Sequence, residues 1–127
     1  MIGYSFLAIG AGAAIGAWLR WGLGLALNPI FPTVPLGTLA ANLIGGFLIG
    51  AATEYFLRHA SVPPEARLLV ITGFLGALTT FSTFSIEAVT LLLRGQLAWG
   101  AVLIVLHLAG SLVMTVIGIA AMRWLEG

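Results

Sequence analysis

The sequence contains no cysteine, no lysine and no aspartate. Without cysteine there is no disulfide framework, no thiolate metal site and no cysteine nucleophile. Charge of either sign is scarce: 7% of residues, against about a quarter in a soluble domain. A chain this poor in charge cannot solvate its own surface. Five Arg against four Glu leave a net charge of +1, which provides no basic field for nucleic acid. What remains is apolar, with 61% hydrophobic residues in a length of 127 that suits one domain, residues 1–127. The first residues, Met1-Ile2-Gly3-Tyr4, put no basic group ahead of the apolar run. That run outlasts the short core of a secretory signal, so it reads as a first spanning helix.

Crossing the hydrocarbon as helix takes about 20 apolar residues. Four runs qualify: Tyr4 to Leu27, Leu36 to Leu57, Leu68 to Leu93 and Leu97 to Trp124. They lack alternation and are too long for barrel strands. The expected class is therefore all-α integral membrane, multi-pass, with short loops and the lipid bilayer as solvent. An even number of spans puts both termini on one side, with Arg58, Arg67 and Arg123. Arg94 and Arg20 belong to the other side. So small a bias does not choose an orientation. Either loop context decides it, or both orientations insert and pair as an antiparallel dimer.

Small residues recur every fourth position: Ala8, Gly12, Gly16 and Gly24 in the first span, Gly46 and Gly50 in the second. Such faces let membrane helices approach closely. Arg20, Thr38, Asn42 and Glu54 lie on the same stripes; packing alone accounts less well for Asn42 and Glu54, which are not small and apolar. Arg20 and Glu54 are near helix ends, within reach of the headgroups.

Polar groups at bilayer depth are costly and face a cavity or a partner. Asn42 is one. The third span holds Thr79, Thr80, Ser82, Thr83, Ser85 and Glu87; the fourth holds His107, Ser111 and Thr115 at spacing four. Single hydroxyls often bond the carbonyl one turn back. Three polar groups in line suggest a polar track instead. No second buried carboxylate faces Glu87, and no triad or metal-ligand spacing occurs, so an enzyme is not expected.

The stretch GFLGALTTFSTF, Gly73 to Phe84, concentrates these features. Gly73, Gly76 and the Thr79-Thr80 pair weaken helix. Unwound backbone at membrane depth exposes carbonyls to an ion. Phe81 and Phe84, three apart, share a face. Ring edges are positive and tolerate an anion. Hydroxyls and the Asn42 amide can donate to it. The expected path suits a small anion.

These residues resemble the Fluc/CrcB family of fluoride channels. The match runs through GAAIGAWLRW (Gly12 to Trp21), GTLAANLIGGFLIG (Gly37 to Gly50) and GFLGALTTFSTFS (Gly73 to Ser85). Trp21 stands where the family usually has Tyr, and His107 where it often has Tyr. The resemblance implies an antiparallel homodimer in a bacterial inner membrane, with the third helix broken mid-membrane. It implies two fluoride pores and a structural Na⁺ at the interface, held by the backbone carbonyls of Gly76 and Thr79. Asn42, Phe81, Phe84, Ser82, Thr83, Glu87, Ser111 and Thr115 are the implied pore residues, with His107 beside them and Arg20 at the vestibule. The rival reading is a small multidrug-type proton-coupled transporter, which needs a carboxylate in the first helix. None is there.

Overall fold

The computed structural model describes residues 1–127 and is helical throughout. Four helical stretches are long and apolar enough to cross a membrane. The first is α1, Ile2–Leu27. Asn28 and Pro29 end it in a short 3₁₀ turn, Asn28–Ile30, because proline offers no N–H to continue the ladder. The second is α2, Leu36–Arg58. Pro35 at its start has no side chain that could cap it. Asn28 does so from a distance, its Oδ1 accepting from the N–H groups of Gly37 (2.8 Å) and Thr38 (3.2 Å).

The third stretch, Pro64–Leu93, is composite. It opens as α3, Pro64–Arg67, with proline at the favoured first position. A π-helical run, Leu68–Leu75, leads into α4, Gly76–Leu78. Thr79 and Thr80 are extended, and helix resumes as α5, Phe81–Leu93. Thr80 caps α5, its hydroxyl accepting from the Thr83 N–H at 3.1 Å. After a turn at Gly95, where φ is +77°, α6 runs Leu97–Glu126. The expected spans are thus recovered, each stretch extending slightly further.

Glycine decides which helices touch. A Cβ on Gly50 would collide with the Thr115 carbonyl, and one on Gly118 with that of Phe47, so α2 and α6 meet backbone to backbone. Gly12 and Gly16 do the same for α1 against Leu69 and Phe74 of the third stretch. The small-residue stripes of both helices are therefore packing faces. Gly73 belongs to this set too: its Cβ position lies 2.6 Å from the Ile9 carbonyl. It stays in helical backbone, as does Gly76. The expectation that these glycines unwind the chain is corrected: the extended residues are Thr79 and Thr80 only.

Two ionic residues near helix ends take partners within the protein. Glu54 is buried and paired with Arg123 of α6 at 2.5 Å. Nearby, His59 Nε2 meets Glu126 Oε1 at 3.0 Å. Arg20 turns inward, to the Ala77 carbonyl. Gly50→Ala should cost about 1–3 kcal/mol by overpacking the α2–α6 contact. Gly3→Ala, with nothing within 4 Å of its Cβ position, should cost nothing. Thermal unfolding of the detergent-solubilised protein separates the two.

Candidate functional site

An unbroken helix would send the Thr80 N–H to the Gly76 carbonyl and the Thr83 N–H to that of Thr79. Neither bond is made. Thr80 donates to Asn42 Oδ1 at 2.8 Å, and Thr83 donates to the Thr80 hydroxyl. Asn42 answers with Nδ2, which donates to the Thr80 carbonyl at 3.1 Å. Its amide thus pairs with both backbone groups of one residue, as a neighbouring strand would. The same Nδ2 lies 3.0 Å from His107 Nδ1.

The last four carbonyls of a helix need outside partners. Here Ala77 finds one in Arg20, whose Nε donates at 2.9 Å. A cation at a helix C-terminus is also favoured by the backbone dipole. Leu75 accepts both the N–H and the hydroxyl of Thr79, at 3.1 and 2.9 Å. The carbonyls of Gly76 and Thr79 lose their helical donors and gain no replacement from Thr80 or Thr83.

Two cavities adjoin this junction. The larger, about 460 Å³, lies between α2, α6 and the third stretch. Phe81, Phe84, His107, Ser111 and Thr115 border it, so most of the expected pore set converges there. Asn42, Gly76 and Thr79 also border it. No side chain with a formal charge lines it. Phe81 and Phe84 meet edge to face, centroids 5.3 Å apart at 69°. Phe84 is buried, while Phe81 is 71% exposed on the single chain. Phe84 also covers His107, with ring centroids 4.8 Å apart. The Thr115 hydroxyl is within bonding distance of the Gly46 and Ser111 carbonyls, at 3.0 and 2.9 Å.

The smaller cavity, about 310 Å³, has Arg20, Thr38 and Thr83 in its wall. Thr80 borders both cavities and is the polar step between them. Ser82 is exposed and borders neither. Glu87 borders neither as well; its Oε2 accepts from the Thr38 hydroxyl at 2.6 Å.

Sequence reasoning left Thr80 and Thr38 out of the site. Both carried a signal. Thr80 stands three before Thr83 at the start of an apolar run, the position of a helix cap. Thr38 lies one turn before Asn42 on the same face. No group of three or more His or carboxylate side chains is placed to hold a metal ion.

The model of the family described as CrcB-like protein, Camphor Resistance (CrcB), matches residues 7–119. Proteins named fluoride-specific ion channel FluC are close relatives. That of Nitrosospira multiformis is 70% identical, covering 96% of this chain and 95% of its own length. That of Thiobacillus denitrificans is 59% identical, covering 96% and 98%. That of Pseudomonas paraeruginosa is 58% identical, covering 97% of each. With the family model matched over residues 7–119 and relatives covering nearly its whole length, the chain belongs to the CrcB-like family.

Proposed function

We propose that this protein is a fluoride-selective passive channel, not an enzyme, that lets cytoplasmic F⁻ leave across a bacterial inner membrane. The observation that carries the reading is the larger cavity. It is bordered by hydroxyls and by an edge-to-face Phe pair, and it holds no charged side chain. A small anion must trade its water for donors on the way through. Among the cavity's hydroxyls that of Ser111 is free to donate, and phenyl edges supply positive rims. A fixed Lys or Arg in the wall would hold the ion instead of passing it. The names of the relatives agree with this choice of ion.

The chain works as an antiparallel homodimer with two pores. Two features support this: the near balance of Arg between the two sides, and the exposure of Phe81, a ring that would line a pore only against a second copy. The third helix breaks at mid-membrane at Thr79 and Thr80. The break also suits a structural Na⁺. The Gly76 and Thr79 carbonyls are hard oxygen donors without helical partners, the ligand type that such a cation takes. When bound, the ion would neutralise the exposed carbonyl dipoles at the interface. The chain's own part is to keep those carbonyls unpaired, which Asn42 and the Thr80 hydroxyl do. A proton-coupled drug transporter finds no support, since α1 has no carboxylate and Glu87 is engaged by Thr38.

Fluoride should leave liposomes containing the pure protein while chloride stays. Equal passage of the two, or passage of neither, refutes the channel. Phe81→Ile should cut fluoride flux roughly tenfold, the rate equivalent of about 1.4 kcal/mol. Its gel-filtration profile should be unchanged. Protein prepared free of sodium should lose flux, as judged by metal analysis beside the same efflux assay. Full flux without sodium would remove the structural role.

A further inference from the structure

His107 is buried in α6, and its Nδ1 faces the Asn42 amide. Which ring nitrogen carries the proton is decided by a chain of bonds that begins at a backbone N–H. Thr80 N–H can only donate, so the Asn42 atom it meets at 2.8 Å must be the oxygen, Oδ1. The Asn42 amide therefore cannot be turned over. The atom facing His107 at 3.0 Å is then Nδ2, which can only donate. His107 Nδ1 must accept, so it carries no proton. A neutral imidazole has one N–H, and here it falls on Nε2. A cationic ring would set a second N–H against the Asn42 donor.

Nε2 is buried and has no partner anywhere in the chain. A buried donor left unmade costs about 1–3 kcal/mol. Native structures seldom keep one without water or a ligand to receive it. His107 borders the larger cavity, with Phe84 on its ring and Ser111 one turn along α6. An anion there would take a charge-assisted bond, roughly twice as strong as a neutral one.

We propose that the relay from Thr80 through Asn42 holds His107 as the neutral Nε2–H tautomer, and that this N–H donates to fluoride in the pore. The proposal rests on the channel reading and adds a donor and its orientation to it. Asn42 thereby acts twice, since the amide that holds Thr80 extended also fixes which nitrogen of His107 carries the proton. The ring serves as an uncharged donor, which binds the ion without trapping it.

The test is nitrogen NMR on the full-length protein, ¹⁵N-labelled at histidine and reconstituted in lipid. The chain has two histidines, and His59→Gln assigns them. The His107 signals should report a bare Nδ1 and a protonated Nε2. Sodium fluoride, but not sodium chloride, should shift the Nε2–H. Asn42→Asp keeps the acceptor for Thr80 but can no longer donate, so it should move a proton onto Nδ1. His107→Gln, which retains an amide donor, should keep fluoride affinity within about threefold of wild type. His107→Leu should weaken it about tenfold or more, the loss of one bond to a charged group. A proton on Nδ1 in the wild type overturns the proposal, as does an Nε2–H that answers to water alone and ignores fluoride. Both results can occur in a protein that still conducts. Absence of fluoride flux in the wild type would instead refute the channel, and the tautomer would still be readable without fluoride.

Discussion

Much of this structure depends on one amide. Asn42 takes the N–H of Thr80 and gives a proton to its carbonyl, replacing the bonds a continuous helix would make. Bonds are rarely abandoned inside an apolar solvent, because each unmade one costs several kcal/mol. The exchange is tolerated because the diverted Thr80 and Thr83 N–H groups have new acceptors. Three elements take part: α2 supplies Asn42, α1 supplies Arg20 for the Ala77 carbonyl, and the third stretch itself supplies the Thr80 hydroxyl. The carbonyls of Gly76 and Thr79 lose the donors that Thr80 and Thr83 would have given them.

The glycines make this possible by a different route from the one expected. Glycine weakens helix in water, where propensity decides. In a bundle of apolar helices, close approach matters more. Gly73 stays helical because its missing side chain admits the Ile9 carbonyl of α1. Gly46 and Gly50 bring α2 against Ser111 and Thr115 of α6. That contact sets the distance at which Asn42 meets both Thr80 and His107. Packing of small residues thus fixes the geometry of the polar ones, and the polar ones fix the course of the third stretch.

The polar groups divide into two kinds. Glu54 with Arg123, and His59 with Glu126, tie the ends of α2 and α6 together. Arg123 is largely exposed while Glu54 is buried, so the Arg keeps water and the carboxylate keeps a partner. Asn42, Ser82 and Thr83 gather around Thr80. Both cavities border Thr80, and Arg20 lines the smaller one.

Apolar runs of this length have one way to satisfy their backbone in lipid, so the residue order dictated the solvent, the number of spans and their approximate limits. It also marked Asn42, His107, Ser111, Thr115 and the two Phe residues, because polar or aromatic groups on a helix face in lipid have no simple packing reason to be there. Where the third helix stops was settled only by the assembled bundle. Propensity pointed to Gly73 and Gly76, but the choice between Gly76 and Asn42 as partner for the Thr80 N–H belongs to a residue 38 positions away. The bundle also turned Arg20 and Glu54 inward and joined Thr38 to Glu87. A local pattern records what a residue can donate or accept; which partner it meets depends on helices brought together from distant parts of the chain.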